Sequence, residues 1–313
     1  SFYASHASVV AAGNHDDKYF TLAKASNVDA YGGVSAGAYV NDYNYMWTHY
    51  NYGIPSSQVD NTGFYYSFDY GKVHFTVLNT NDIESIKSKT TTDEGKEKTV
   101  TTKQLGTKQY EWLVNDLDST DKEWKVVVMH KALYSEGSHS YDKDVVGMRA
   151  QLTPLFAEKG VNLVIAGHDH VYNETFYLDA NGKKVSTNAN GKNEIGKKGT
   201  LYVTMGTMGE KFYNFVDNPD VPTATGTSLH KAGHLSDPTF GKLAFDGEKL
   251  YYYGYQYLRQ YDNEGNLTGG EVKVIKKTGN ELVGIIVAAT IAGVAVISAV
   301  AGIVVAVVKK KKA

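Results

Sequence analysis

The chain contains no cysteine in 313 residues, which excludes disulfides and thiolate-bound metals. It carries no excess charge of either sign. With 32 Lys and Arg against 34 Asp and Glu, the formal net charge is −2, and nothing points to nucleic acid as a partner. No acidic residue occurs before Asp16, and no charged residue lies between Leu282 and Val308. No internal repeat is present. What remains is 42% hydrophobic and 21% charged, an ordinary globular composition, and the length suits one large domain or two smaller ones.

The uncharged run of 27 residues from Leu282 to Val308 has Thr290 and Ser298 as its only hydroxyls. As a helix it would span about 40 Å, enough to cross a hydrocarbon core of about 30 Å with tilt. Four lysines, Lys309 to Lys312, follow at once, and the flank Thr278-Gly279-Asn280-Glu281 has none. The positive-inside bias predicts a single-pass helix in the cell membrane, a cytoplasmic tail and an extracellular main domain. Ser298, Gly302 and Ala306 have the spacing of a helix-pairing face, but an Ala/Gly-rich span produces that by chance, so oligomeric state stays open. The chain opens Ser1-Phe2-Tyr3 without a signal-peptide pattern. The expectation is that a leader has been removed or that the sequence starts partway through a longer chain. The expected division is a main domain over 1–275, a short linker over 276–281, a transmembrane helix over 282–308 and a basic tail over 309–313.

Within the main domain, Ser8 to Ala12 reads as a small apolar strand ending at Gly13-Asn14-His15-Asp16. The Tyr-, Asn- and Gly-rich stretch up to Gly63 reads as loops, with Tyr31 to Tyr52 shaping a pocket wall. Phe64 to Tyr70 and Val73 to Leu78 form two strand-like runs around Gly71-Lys72. Lys87 to Lys103, rich in Lys, Thr and Glu, reads as a solvated loop. Tyr110, Trp112, Leu113 and Leu117 mark an amphipathic helix. Lys125 to Met129 is a buried strand ending at His130. Val145, Met148, Leu152 and Phe156 mark a further helical region, which Thr153-Pro154 divides into two short helices joined by a bend. Val161 to Ala166 is a buried parallel strand leading to Gly167-His168-Asp169-His170. Hairpin signals follow at Asn181-Gly182 and Asp246-Gly247. The alternating half followed by hairpins predicts a layered α/β/β/α sandwich of mixed sheets.

Histidines therefore stand at three strand ends: His15, His130 and the pair His168/His170. In open parallel sheets, ligands collect beyond the carboxyl ends of the strands. A single such histidine is usually structural, and His74, inside a strand, is read that way. His230 and His234 sit in a Gly/Ser/Pro loop without a third ligand. The combination differs, because imidazole nitrogens and a carboxamide oxygen at neighbouring strand ends suit Zn, Fe or Mn better than Ca or Mg.

Gly13-Asn14-His15-Asp16, Val127-Val128-Met129-His130 and Gly167-His168-Asp169-His170-Val171-Tyr172 occur in the order of the motifs of the calcineurin-like metallophosphoesterases. The chain resembles the purple-acid-phosphatase-like branch of that family, as do the segments from Tyr66 to Phe75 and from Gln109 to Leu113. The resemblance runs from Ser8 to about Tyr257. It implies that Asn14, His130 and His168 bind one metal ion and His170 a second, with Fe, Zn or Mn as the ions. It implies that His15 contacts the phosphate and assists the leaving group, that His139 is a second substrate histidine, and that Asp16 fixes a neighbouring group. The implied activity is hydrolysis of a small phosphate ester by a two-metal mechanism.

Two departures follow. The family's early aspartate patterns, which supply the bridging carboxylate, should precede Gly13, but only twelve residues do, none of them acidic. The chain is thus expected to be an N-terminally truncated copy that holds metal weakly by itself. The branch's arginine near Glu174 is also missing from Tyr172-Asn173-Glu174-Thr175, which is expected to alter the local loop. The alternative to an anchored hydrolase is a surface-displayed binding remnant of the same fold. Substrate and metal identity stay open.

Overall fold

The computed structural model describes residues 10–14, 65–92, 94–186, 194–196, 198–209, 211–216 and 237–275. His15, Asp16, the Tyr31–Tyr52 stretch, His230, His234 and the apolar run from Leu282 to Val308 lie outside the described residues. Among those described, no helix is long and apolar enough to cross a membrane.

Strands β1 (Tyr66–Tyr70) and β2 (Val73–Leu78) form an antiparallel hairpin. Gly71 takes φ +59 at its turn, where a side chain would be strained. A second hairpin follows, β3 (Ile83–Thr91) and β4 (Glu97–Leu105), then helix α1 (Thr107–Ser119) and strand β5 (Trp124–Lys131). Helix α2 (Lys143–Glu158) leads through Gly160 (φ +67) to β6 (Leu163–Gly167). Strands β7 (Tyr172–Glu174), β8 (Tyr177–Leu178), β9 (Lys184–Ser186) and β10 (Leu201–Met205) come next. Three more complete the described chain: β11 (Thr239–Phe245), β12 (Leu250–Tyr261) and β13 (Leu267–Val274).

The central sheet has the order β1-β2-β5-β6-β10-β7. Its inner strands β2, β5, β6 and β10 are parallel, and β1 and β7 run antiparallel on the two edges. The sequence dictates this burial. Strands with both faces covered need apolar residues at every position, and Val126-Val127-Val128-Met129 and Leu163-Val164-Ile165-Ala166 supply them. Val126, Val128, Leu163, Ile165, Leu201 and Val203 point into one core, shared with Leu243, Leu250 and Tyr252 of the antiparallel β11-β12-β13 sheet. Val127, Met129, Val164 and Ala166 point into the other, shared with Leu113 and Leu117 of α1 and Met148, Leu152 and Phe156 of α2. The layers are therefore helix, sheet, sheet. The outer helical layer of the expected α/β/β/α sandwich is not among the described residues.

Two local expectations are corrected. Lys87 to Lys103 is not a loop but the body of the β3–β4 ribbon, paired from Ile83–Leu105 to Thr91–Glu97. Its β-branched threonines favour extended backbone, and a ribbon whose side chains are mostly exposed carries no apolar alternation to betray it. Lys143 to Glu158 is one helix, with Pro154 inside it. A proline in a helix interior costs about 3 kcal/mol. Here Met148, Leu152, Leu155 and Phe156, all buried on the sheet on both sides of Pro154, offset that cost. In Val10 to Ala12 the described residues form no strand, although Val10 and Ala12 are buried.

His74 is structural, as expected. Its ring is buried on β2, with Nδ1 2.8 Å from Asp69 Oδ1 and Nε2 3.0 Å from Asp116 Oδ2. Asp116 of α1 also accepts hydrogen bonds from Ser67 (2.5 Å) and Thr76 (2.8 Å). Burial, the largest influence, works against charge on His74, but the hydrogen bonds and charges of Asp116 and Asp69 together raise its pKa above 6.5. The cluster ties α1 to the first hairpin.

Candidate metal centre

Parallel pairing of β5 with β6 brings their carboxyl ends together. The register shifts between Val128 and Lys131, so that Lys131 pairs with Gly167. Such irregularities re-aim side chains where a strand ends. His130 and His168 emerge at this point, and the chain turns sharply after β6: His168 has φ 71 and His170 φ 51. Among the described residues these two are the non-glycine residues with positive φ, a conformation that costs energy and concentrates at functional sites.

The three residues expected to share an ion meet there. Nε2 of His130 lies 2.9 Å from Asn14 Oδ1 and 3.0 Å from Nδ1 of His168. Donor atoms bound to one ion at about 2.0–2.2 Å stand roughly 3 Å apart when adjacent. Each of these two spacings fits adjacent vertices around one ion, and the donor types fit Zn, Fe or Mn. Burial, then the charges of His130 and His139, pull the pKa of His168 down to about 3. At neutral pH its imidazole is uncharged and keeps a lone pair for a ligand.

His170 is placed by a different contact. Its Nδ1 lies 2.6 Å from the Lys211 carbonyl oxygen, so Nδ1 carries the proton it donates and Nε2 is left as the acceptor. The ring stacks on Tyr213 at 4.6 Å and 10°. Burial lowers its pKa too, and the bond to Lys211 only partly opposes this. Tyr213 in turn stands 5.5 Å from the ring of His139, whose own ring is 4.3 Å from that of His168. His170 thus joins the other histidines through Tyr213. His15 lies outside the described residues.

His139 sits in a 3-10 turn, Ser138–Tyr141, braced from below by Arg149, which donates to the carbonyls of Leu133 (2.5 Å) and Ser140 (2.7 Å). Its backbone N–H donates to Oδ1 of buried Asp169 at 2.9 Å, and its Nδ1 lies 2.8 Å from Asp142 Oδ2. Burial raises the pKa of Asp169 despite the hydrogen bonds from Ser135 and the His139 amide. Gly137 packs so closely on Asp169 that a Cβ there would stand 2.6 Å from its side chain. The Tyr172–Thr175 segment, where an altered loop was expected, is mostly strand β7. Its Asn173 accepts from the Glu136 amide (3.2 Å) and donates to the Tyr134 carbonyl (3.3 Å), holding the His139 loop against the sheet.

Sequence reasoning missed Asp142, Asp169 as the anchor of His139, and Tyr213. An aspartate three residues beyond His139 was the available signal for Asp142, masked by its place just before a helix, where aspartate is ordinary. Tyr213 lies among Phe212, Asn214 and Phe215 with nothing to distinguish it.

The calcineurin-like phosphoesterase family model matches residues 1–172, more than half of the 313-residue chain. Among curated relatives, an acid phosphatase of Aspergillus ficuum is 29% identical over 165 residues, covering 44% of this chain and 26% of its own length. Purple acid phosphatase 18 of Arabidopsis thaliana is 34% identical over 107 residues, covering 33% of this chain and 21% of its own. The chain thus spans about a quarter of the length of these relatives. Among solved structures, a purple acid phosphatase from yellow lupin (Lupinus luteus) seeds matches 68% of this chain and 33% of its own, with 18% identity and a TM-score of 0.39.

Proposed function

The chain belongs to the calcineurin-like phosphoesterase family, and from that premise we propose that it serves in metal-dependent hydrolysis of small phosphate esters at the outer face of a membrane. The observation that carries the reading is the convergence of Asn14 Oδ1, His130 Nε2 and His168 Nδ1 within 2.9 and 3.0 Å steps at the ends of adjacent parallel strands. Those three residues would hold one ion, and His170, with Nε2 as its acceptor nitrogen, would contribute to a second. When bound, the metal supplies Lewis acidity toward the phosphoryl group and an activated water.

The chain's own side chains account for the rest of the chemistry. His139 faces the same corner and donates toward a phosphate or leaving-group oxygen, with His15 as its counterpart from the first motif. Asp169 and Asn173 fix the loop that carries His139, so that its reach is set before substrate arrives. Tyr213 walls the site between His139 and His170. Membrane attachment rests on the sequence: 27 uncharged residues, then four lysines.

The test is hydrolysis of aryl phosphate monoesters and diesters by the full chain supplied with Zn2+, Mn2+ or iron, beside His130→Ala. Turnover lost in a variant that keeps its fold supports the reading. Turnover unchanged in His130→Ala contradicts it, and none with any metal favours a binding role for the same fold.

A further inference from the structure

Strand β12 alternates strictly from Leu250 to Tyr257. Leu250, Tyr252, Gly254 and Gln256 are buried on the side of the central sheet, while Tyr251, Tyr253, Tyr255 and Tyr257 stand half-buried on the opposite face. The rings of Tyr251, Tyr253 and Tyr255 follow one another at 6.4 and 6.5 Å between centroids, and Tyr255 stacks on Phe240 of β11 at 5.1 Å and 12°. Lys242 stands opposite Tyr253, and Val274 and Val272 of β13 stand opposite Tyr255 and Tyr257. A sheet face left to water carries polar residues at its alternate positions. This one, Lys242 apart, is aromatic and aliphatic. Helices α1 and α2 do not cover it, because both pack in the core on the other side of the central sheet.

The chain leaves this sheet beside the tyrosines. Ile275, just past β13, is buried and donates its amide hydrogen to the Gly254 carbonyl, between Tyr253 and Tyr255. Leu282, where the uncharged run begins, is seven residues further on, with Lys276 and Lys277 between. Seven residues fully extended span at most about 25 Å, so the sheet stays near the point where that run enters a bilayer. Tyrosine suits such a boundary, with an apolar ring for the lipid side and a hydroxyl for the wet side.

From this geometry we infer that the outer face of the β11–β13 sheet, centred on Tyr253 and Tyr255, lies on the headgroup region of the membrane that anchors the chain. The inference rests on the membrane attachment proposed above and adds which side of the protein meets the lipid. A tether this short makes the docking intramolecular, so a shallow contact suffices. Lys242, Lys276 and Lys277 add attraction to anionic headgroups. The strand-end corner belongs to the central sheet, one layer, about 10 Å, further from the lipid.

Because the chain has no cysteine, a single introduced one takes a nitroxide label uniquely. Tyr253→Cys on the face, Thr99→Cys on the exposed β3–β4 ribbon and Ala295→Cys within the uncharged run are compared in the full chain, reconstituted into phosphatidylcholine–phosphatidylglycerol nanodiscs. Electron paramagnetic resonance reads the access of each label to oxygen, which enters lipid, and to a nickel chelate, which stays in water. The Ala295 and Tyr253 labels are expected to lose nickel access and gain oxygen access relative to the Thr99 label, with Tyr253 the shallower of the two. A Tyr253 label as open to nickel as the Thr99 label, with Ala295 in lipid, overturns the docked face and leaves the anchor standing. An Ala295 label open to nickel overturns both. Dipolar broadening at Tyr253 that disappears on dilution with unlabelled chain shows a second copy on the face, and also overturns the inference. If Tyr253→Cys does not fold, a label at Lys242→Cys on the same face decides by the same comparison.

Discussion

Nε2 of His130 and Nδ1 of His168 stand 3.0 Å apart, although 38 residues separate them in the chain. The parallel pairing of β5 with β6 makes the approach, and burial then keeps the second imidazole from protonating. The folded-state pKa of His168, about 3, lies below its unfolded value of 6.5. The unfolded chain therefore takes up the proton first, and the stability that His168 contributes is present above pH 6.5 and lost as pH falls toward about 3. Denaturant unfolding of the metal-free chain at neutral and mildly acid pH should show this loss, and His168→Gln should reduce it.

The opposite sign holds at His74. Its folded pKa is raised, so the stability it contributes is full below pH 6.5 and is lost as pH rises through the folded value. His74→Gln removes one member of a buried charged cluster and is expected to cost about 3 kcal/mol at mildly acid pH. The gap between wild type and variant should narrow on going alkaline, as read by urea unfolding across pH. A gap that widens with pH would show that His74 is buried neutral.

Gly147 on α2 lets the β3–β4 ribbon lie against the helix, because a Cβ there would coincide with the Lys103 carbonyl oxygen. Gly147→Ala must push the ribbon away, at a cost of about 1–3 kcal/mol. Hydrogen exchange should rise in β3 and β4, while exchange in β5 and β6 stays as it was.

Most of what positions the site was legible in the sequence. The apolar runs before His130 and His168 marked buried strands, because a strand covered on both faces has no polar alternation to confuse it. Asn14, His130 and His168 meet as their motif order implied. The β3–β4 ribbon was hidden for the converse reason: most of its side chains meet water even though it lies against α2, so its pattern is that of a loop. Pro154 signalled a break that sheet packing overrides. Tyr213 and the Lys211 carbonyl were beyond reach, since no local pattern states which backbone oxygen an imidazole will find.

Membrane attachment has its own test. The full chain should remain with membranes after alkaline carbonate extraction, and a chain ending before Leu282 should be released. Release of both would remove the anchor.

X-ray absorption at the zinc edge of the Zn2+-loaded full chain, compared with the same spectrum for folded His130→Ala, tests the strand-end centre most directly. The expected result is scattering from imidazole ligands in wild type that diminishes in the variant. Identical spectra for the two would contradict a metal held where β5 and β6 end.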